Sequence, residues 1–221
     1  MKLHIYVFRH GQTYFNRDKK FTGHVDSKLT HLGKQQAMKI AKKLKNKKFQ
    51  VAYYTKLSRS KDTLKPVLKY HPECKKMILD NRMIERSYGK LQRKSHESFI
   101  EEVGKRDIKI LKERGDALEN LDPKLKAKLE KLLGESEYKT IHRGYNIRPP
   151  GGESFADVEK RVKSFIIDLK KYMRRNKVSV AISAHGNSIR LFRKIMEGLS
   201  REKTQKINIP YDDYYEYVIN T

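Results

Sequence analysis

Residues 7–16, VFRHGQTYFN, place two polar side chains at the end of a hydrophobic stretch and so decide how the whole chain is interpreted. The apolar run LHIYVF at residues 3–8 predicts a buried β-strand. Arg9 and His10 follow directly, although arginine and histidine seldom belong in a core. A guanidinium beside an imidazole is well suited to binding an anion, so an anion site is expected where this strand ends.

A second histidine lies in the same setting as His10. Residues 178–183, VSVAIS, predict another buried strand, and His185 follows it just before a glycine, as His10 does. Strands alternate with helices, which is typical of an α/β sheet covered on both faces. Ligands bind beyond the carboxyl ends of such strands, so the two histidines would share a site if their strands are neighbours. The other strands are predicted at 50–55, 76–79 and 214–220, and the helices at 29–46, 57–71, 154–175 and after His185.

Residues 95–133 differ from the rest in being highly charged and helical, with expected interruptions at Gly104, Gly115 and Pro123. We interpret this segment, with boundaries at about 93–141, as a helical cap inserted into a single domain spanning residues 1–221. The predicted fold class is therefore α/β, a three-layer α/β/α architecture with a mostly parallel central sheet and an inserted helical cap.

The composition limits the classes of protein that the chain can represent. Lysine and arginine number 51 against 26 acidic residues, a net charge of +25, which fits either a polyanionic partner or a lysine-rich surface. Basic residues are spread along the whole chain, which favours the surface interpretation over a nucleic-acid partner. No apolar run could span a bilayer and the N-terminal strand does not resemble a signal peptide, so no membrane partner is expected. Cys74 is the only cysteine, which excludes an intrachain disulfide and favours a cytoplasmic location.

The sequence offers phosphate ligands but no metal-binding pattern. It has no H-x-x-x-H pair, no second cysteine, no cluster of aspartates and no G-x-x-x-x-G-K-[ST] loop. A metal-free phosphate site would use Arg9 and Arg59, whose planar donors fit phosphate oxygens. The neutral imidazole of His10 could then carry the phosphoryl group as phosphohistidine, while His185 donates to its oxygens.

Proton transfer needs one further group, because a leaving alkoxide must gain a proton and an attacking hydroxyl must lose one. Glu85, in the segment MIERSYGKLQ that follows the third predicted strand, is the candidate. The alternative is that Glu85 forms an ion pair with the neighbouring Arg86.

Five segments in order resemble the histidine phosphatase superfamily and, within it, the 2,3-bisphosphoglycerate-dependent phosphoglycerate mutases. They are RHGQTYFN with FTGHVDSKLTHLGKQQA behind it, ERSYGKLQ, HRGYNIRPP, SAHGNSIR and INIPYDDYYEYVIN. The resemblance covers residues 3–92 and 141–220. It implies a glycolytic and gluconeogenic mutase that interconverts 3-phosphoglycerate and 2-phosphoglycerate through a phosphohistidine, with 2,3-bisphosphoglycerate as primer and no metal. It also allows a homo-oligomer.

The resemblance also implies roles for individual residues. His10 would be the phosphorylated nucleophile, Glu85 the proton donor and acceptor, and His185 the group that stabilises the transferring phosphoryl. The phosphate pocket would be lined by Arg9, Asn16, Arg59, Gly186 and Asn187. The rest of the small phosphorylated substrate would be held by Thr22, Gly23, Arg86, Tyr88 and Arg143.

Two positions depart from the family pattern, since His142 stands where a second arginine is usual and His96 where a lysine is usual. Both are kept as candidate substrate ligands, and Lys94, Arg93 or Arg148 could compensate for the lost charge. The segment PPGGES resembles the phosphatase branches instead, and the 53 residues at 89–141 are more than a mutase is expected to have there. Three hypotheses follow: a mutase, a phosphatase that hydrolyses a small phosphomonoester, and a non-catalytic binder of polyanions.

Overall fold

The computed structural model describes residues 1–114 and 121–220, so the expected interruption at Gly115 lies outside the described residues. The strands are β1 (Lys2–Arg9), β2 (Val51–Tyr54), β3 (Lys76–Leu79), β4 (Val180–Ala184) and β5 (Tyr214–Asn220). The helices are α1 (Tyr14–Arg17), α2 (His31–Leu44), α3 (Ser58–Leu68), α4 (His96–Glu113), α5 (Pro123–Arg143), α6 (Phe155–Asn176), α7 (Gly186–Glu197) and α8 (Arg201–Lys206).

These five strands form one sheet in the order β3-β2-β4-β1-β5. Strands β1 to β4 run parallel, and β5 runs antiparallel to β1 at the edge. The predicted α/β class with a mostly parallel central sheet is therefore confirmed. Because β1 and β4 are neighbours, Arg9 lies opposite Ala184, and the residue after each of them is a histidine.

Strand β1 separates two hydrophobic layers, because successive side chains of a strand point to opposite faces of the sheet. Leu3, Ile5 and Val7 pack with the buried faces of α6 and α7. Tyr6 and Phe8 pack on the other side with α2 and α3. Helices thus cover both faces of the sheet, which gives the three layers that the sequence predicts.

The sequence predicts Thr30 as the N-cap of helix α2, and the helix begins directly after it. The Thr30 hydroxyl accepts a hydrogen bond from the N–H of Gly33, and Ile40 and Leu44 are fully buried. The sequence pattern predicts Leu32 on one apolar face with Ala37, Ile40, Ala41 and Leu44, but Leu32 is 46% exposed. That expectation was wrong because five residues along a helix place Leu32 about 140° around the axis from Ala37.

Ser154 followed three residues later by Asp157 predicts a capping box, and helix α6 begins with one. The Ser154 hydroxyl accepts from the N–H of Asp157 at 3.1 Å, and the Asp157 carboxylate accepts from the N–H of Ser154 at 2.9 Å. Two otherwise unpaired backbone donors are satisfied in this way, which fixes where the helix starts.

The inserted segment forms a pair of long helices, α4 and α5. Gly104 does not interrupt α4 as expected but lies inside it, because a glycine there lets α5 approach closely. A Cβ atom on Gly104 would lie 2.1 Å from the carbonyl oxygen of Glu130, and one on Gly134 would lie 2.0 Å from that of Ile100. Pro123 is the first residue of α5, where a missing N–H costs nothing, and Asp122 caps the helix.

A search of the described residues for membrane-spanning helices finds none that is both long and apolar enough.

Candidate active site

His10 and His185 converge at the carboxyl end of the sheet. Each follows one of two neighbouring parallel strands, β1 and β4, and the N–H of His10 donates to the carbonyl of Ala184 at 3.0 Å. Their ring centroids are 5.0 Å apart, and both side chains are buried. The two histidines therefore share one site, as the similar settings of their strands suggest.

The hydrogen bonding of His10 determines which of its ring nitrogens is free. Its Nδ1 lies 2.7 Å from the carbonyl oxygen of Gly11. A carbonyl can only accept, so Nδ1 carries the hydrogen and Nε2 keeps an unprotonated lone pair. Burial, followed by the charges of Arg59 and Arg9, lowers the pKa of His10 well below its usual value. His10 is thus a neutral imidazole at neutral pH, with Nε2 available as a nucleophile.

Close backbone packing holds the His10 turn in place. The N–H of Gly11 donates to the Thr63 hydroxyl of α3 at 3.0 Å. A Cβ atom on Gly11 would lie 2.1 Å from the carbonyl oxygen of Gly33, at the start of α2. Glycine is required at this contact because any side chain would separate the turn from the helix.

Arg9 and Arg59 are both anchored by hydrogen bonds to carbonyl or hydroxyl groups. Arg9 donates to the Ile209 carbonyl at 3.0 Å and to the Tyr211 hydroxyl at 2.9 Å. Arg59 is fully buried and donates to the carbonyls of Val25 and Gly23 at 2.9 and 2.8 Å. Burial lowers the pKa of Arg59 to about 10, so its guanidinium remains cationic at neutral pH.

Three buried nitrogen atoms of this site have no hydrogen-bond partner among the described residues: Arg9 Nε, Arg59 Nε and His185 Nδ1. The other ring nitrogen of His185 forms a hydrogen bond of 2.8 Å with the Thr55 hydroxyl. Leaving a buried donor unpaired costs about 1–3 kcal/mol, so such atoms mark a site built for a ligand. Two guanidinium donors and an imidazole nitrogen suit the oxygens of a phosphate group.

Glu85 lines the same cavity as His10. Its Oε1 accepts from the N–H groups of Arg86 and Asn187, at 2.7 and 3.2 Å. Its carbonyl accepts from His24 Nε2 at 2.8 Å and from Arg161 at 3.1 Å, which holds the loop from both sides. A carboxyl group is therefore fixed where it can exchange a proton with a bound ligand.

The Arg86 side chain does not pair with Glu85. Its guanidinium donates to the carbonyls of Glu153, Ile141 and Ile147 at 2.5, 2.9 and 2.9 Å. Arg86 is fully buried and is not among the residues that line the cavity. The expected substrate ligand instead ties the end of the cap helix α5 to the loop of Glu85.

Glu153, in the PPGGES segment, also supports this loop. Its Oε2 accepts from the N–H of Ser87 at 2.9 Å, and its carboxylate pairs with Arg161 at 3.0 Å. Glu153 does not line the cavity. Glu153 therefore supports the loop of Glu85 rather than the cavity wall.

The cavity has a volume of about 240 Å³ and is lined by most of the expected ligands, although His185, whose ring contacts that of His10, is not among the lining residues. Residues predicted from the sequence that line it are Arg9, His10, Asn16, Thr22, Gly23, Arg59, Glu85, Tyr88, His96, His142, Arg143, Gly186 and Asn187. Residues that line it without having been predicted are Phe15, Lys19, Lys20, Phe21, Arg190, Asn208 and Tyr211.

Some of these missed residues carried a usable signal in the sequence. Arg190 lies four residues after Gly186 on α7, which places both on one helix face. Thr55 follows β2 as His185 follows β4, so the strand-end argument applied to it as well. Lys19 and Lys20 lie shortly before the expected ligands Thr22 and Gly23, and Asn208 and Tyr211 lie in the segment INIPYDDYYEYVIN that carries part of the family resemblance.

The side chains proposed to compensate for lost charge lie elsewhere. Lys94 forms an ion pair with Glu102, and Arg148 forms one with Asp157. Neither lines the cavity, and Arg93 does not line it either. His96 and His142 do line it, and they belong to a group of touching rings.

We call this group the ring cluster; its members are Phe21, Tyr88, His96, Phe99, Tyr138 and His142. His142 stacks between Tyr138 and Tyr88, at centroid distances of 5.1 and 5.9 Å, and its Nδ1 lies 3.2 Å from the Tyr88 hydroxyl. Burial lowers the pKa of His142 well below its usual value and lowers that of His96 to about 4. The ring cluster therefore forms an aromatic wall of the cavity, and its two histidines are uncharged at neutral pH.

These buried histidines predict a loss of stability in mild acid. The pKa values of His10, His142 and His185 are lowered well below the usual value of 6.5 by burial. The unfolded chain then binds protons below about pH 6.5 that the folded chain does not, so stability is complete above that pH and falls below it. Each fully buried imidazole lowers the free energy of unfolding by up to about 1.4 kcal/mol for each pH unit below that point.

Urea unfolding in phosphate-free buffer checks this expectation. The free energy of unfolding should fall between about pH 7 and pH 5, and it should fall less steeply in a His142→Phe variant. Equal slopes for the two proteins would show that His142 does not stay neutral in the folded state.

No group of three or more His, Cys, Asp or Glu side chains arranged to hold a metal is found within residues 1–114 and 121–220.

Comparisons with known proteins agree with the fold. A family model described as the histidine phosphatase superfamily, branch 1, matches residues 5–141 and 124–220. The chain belongs to this superfamily.

The chain is similar to curated bacterial proteins over most of its length. A 2,3-bisphosphoglycerate-dependent phosphoglycerate mutase of Pelagibacter ubique is 32% identical over 209 residues, covering 94% of this chain and 86% of that protein. One of Pseudoalteromonas atlantica is 28% identical over 218 residues, covering 97% and 93%. A solved structure, the α-ribazole phosphatase from Shigella flexneri, matches 99% of this chain and 91% of its own with a TM-score of 0.70 at 21% identity. That structural likeness shows a shared fold.

Proposed function

We propose that the chain transfers phosphoryl groups through a phosphohistidine at His10, and that it interconverts 3-phosphoglycerate and 2-phosphoglycerate. The observation that carries the proposal is the free Nε2 of His10, held beside His185 by the Nδ1 bond to Gly11. The mutase names of the two curated relatives support the substrate assignment. The reaction belongs to glycolysis and gluconeogenesis, in keeping with the expected cytoplasmic location.

In the proposed reaction, Nε2 of His10 attacks phosphorus as the P–O bond to the substrate breaks. Glu85 in its protonated form gives the leaving alkoxide its proton, and Arg9 and Arg59 bind the equatorial oxygens. His185 donates to the same oxygens as charge shifts. In the second half, Glu85 takes the proton of an acceptor hydroxyl, whose oxygen then attacks phosphorus and displaces His10.

The primer in this proposal is 2,3-bisphosphoglycerate, which phosphorylates His10 before the first turnover. The cationic side chains that line the cavity can neutralise a bisphosphate without a metal ion: Arg9, Lys19, Lys20, Arg59, Arg143 and Arg190. We propose a metal-independent enzyme on that basis.

Incubation with 2,3-bisphosphoglycerate should add one phosphoryl group to the protein, detected by intact mass. Subsequent addition of 3-phosphoglycerate should yield 2-phosphoglycerate, and a chelator should not change the rate. If no phosphorylated protein forms and no 2-phosphoglycerate appears, the proposal is wrong. Strong inhibition by the chelator would instead reveal a required metal.

A phosphatase is the second candidate, and the neutral ring cluster favours it. His96 and His142 provide no fixed charge to retain a bisphosphate while it reorients. A mutase must exclude water from the phosphohistidine, whereas a phosphatase must admit it. Release of inorganic phosphate from phosphoglycerate faster than its isomerisation would establish the phosphatase.

A further inference from the structure

The segments that lead into the four parallel strands are rich in lysine and arginine. Residues 1–2 lead into β1, 45–50 into β2, 69–76 into β3 and 170–179 into β4. Together they hold twelve cations against one carboxylate, that of Glu73. The whole chain carries 51 cations and 26 carboxylates, so an even mixture would give these segments about six carboxylates. The twelve cations are Lys2, Lys45, Lys47, Lys48, Lys69, Lys75, Lys76, Lys170, Lys171, Arg174, Arg175 and Lys177.

Contacts between these segments join them into one surface, which we call the basic pole. The N–H of Ser179 donates to Oε1 of Gln50 at 3.0 Å, and the Ser179 hydroxyl accepts from the N–H of His4 at 2.9 Å. The rings of Phe49 and His71 lie 4.1 Å apart, between their centroids, and tie the second segment to the third. Because the cavity lies where the parallel strands end, the basic pole lies at the opposite end of the sheet.

The cations of the basic pole are exposed and mostly unpaired. Ten of the twelve are exposed, and Lys47 and Lys170 are half-buried. Within the part of the chain that the structure describes, Lys47 alone pairs with a carboxylate, that of Glu216 at 2.8 Å. The dipoles of α2, α3 and α6 favour cations at their last turns, but that effect does not extend to Lys48 or Lys75. Like charges that are gathered without partners repel one another, and a bound polyanion relieves the repulsion.

The dimensions of the basic pole suit a nucleic-acid duplex. Its segments enter four neighbouring strands in the order β3-β2-β4-β1, and strands spaced by about 4.8 Å make a row about 14 Å long. The major groove of a duplex is about 12 Å wide, so flexible side chains along this row can contact phosphates on both sides of it. An anionic membrane suits the surface less well, because stable attachment needs an apolar anchor besides basic residues. Among the described residues of the basic pole, Met1 and Tyr70 are the only large hydrophobic side chains that are exposed.

We propose that the basic pole binds the phosphate backbone of duplex nucleic acid without sequence preference. The sequence alone favours a lysine-rich surface, because its cations are spread along the chain, but the fold gathers those of four distant segments at one end of the sheet. Since the cavity lies at the other end, duplex binding leaves phosphoryl transfer unobstructed. The inference does not depend on the proposed function.

The salt dependence of binding to a DNA duplex tests this inference. A labelled duplex of about 20 base pairs and random sequence is titrated with protein, and fluorescence anisotropy is recorded over a range of salt concentrations. A triple variant, Lys48→Glu with Lys75→Glu and Arg175→Glu, reverses one exposed charge in each of three segments. Each lost phosphate contact lowers the slope of log K against log salt by about 0.9, so this variant should lower it by about 2–3. Its affinity at about 100 mM salt should fall by about 10–100-fold.

The matched control is a triple variant of the cap helix α5, Lys124→Glu with Lys128→Glu and Lys131→Glu. These lysines are exposed, have no ion pair among the described residues, and give the same change in net charge. Since they lie outside the basic pole, the control should change the affinity by less than about threefold and leave the slope unaltered. Both triple variants should keep the circular dichroism spectrum and the phosphoryl-transfer rate of the unaltered protein.

Equal losses of affinity in the two triple variants would overturn the inference, because net charge alone would then attract the duplex. Absence of duplex binding by the unaltered protein would overturn it as well, and so would binding only to vesicles of phosphatidylcholine with about 30% phosphatidylserine. If the glutamate variant of the basic pole does not fold, the glutamine variant at the same three positions removes the charges without reversing them and should lower the slope equally.

Discussion

Replacing His10 with asparagine is expected to lower turnover by about 10⁴-fold or more, since the variant has no nucleophile to carry the phosphoryl group. Asparagine is close in size to the imidazole near the backbone and can still donate to the Gly11 carbonyl, which His10 contacts at 2.7 Å. The fold should therefore survive, and steady-state assays with 3-phosphoglycerate should measure the loss of chemistry alone.

Circular dichroism and thermal unfolding are the controls for the asparagine variant. A folded variant that retained activity within about tenfold of the unaltered protein would mean that transfer does not pass through His10.

Replacing Glu85 with glutamine is expected to give the second-largest loss, about 10²–10⁴-fold with a phosphoglycerate substrate, since an amide cannot supply the proton that the leaving alkoxide needs. Glutamine can still accept from the N–H groups of Arg86 and Asn187, so the loop should keep its shape. Measuring the rate of phosphohistidine formation by rapid quench separates this first phosphoryl transfer from the later steps.

The leaving group provides the control for Glu85. Nitrophenolate is a stable anion that leaves without a proton, so p-nitrophenyl phosphate should phosphorylate the Glu85→Gln variant with a loss of less than about tenfold. Equal losses with the alkoxide and nitrophenolate donors would contradict the proton-transfer role and would leave Glu85 as a loop anchor.

The catalytic half of the site could be predicted because its geometry follows from strand order. Two histidines that directly follow buried strands must meet when those strands are parallel neighbours, as β1 and β4 are. Gly11 and Gly186 follow the histidines, and in this structure Gly11 allows the close contact with Gly33. Short-range sequence patterns place each histidine at a strand end, and the pairing of β1 with β4 in the structure brings them together.

The substrate half could not be predicted in the same way, because it depends on long-range packing. Arg86 was expected to bind substrate from its position beside Glu85, but the carbonyls of Ile141 and Ile147 engage it from the far end of the cap. Gly104 was expected to interrupt a helix, but the approach of α5 makes it a packing residue within α4. Contacts between segments that are distant in sequence decided both cases.

The interpretation of the net charge as a lysine-rich surface and the assembly of the chain into a homo-oligomer are both predictions. The net charge of +25 arises from residues spread along the whole sequence. The site cations account for only part of it, and a homo-oligomer remains a prediction from family resemblance. Burial raises the pKa of the Cys74 thiol, in keeping with a structural rather than a reactive cysteine.

The most direct test of the central claim is the position of the phosphoryl group on the trapped protein. Because Nδ1 of His10 donates to the Gly11 carbonyl, attack by His10 must come from Nε2. Phosphorus NMR and peptide fragmentation of the trapped protein, denatured in alkali, should therefore find Nε2-phosphohistidine at residue 10. Phosphate on Nδ1, on another residue, or on none would contradict the account.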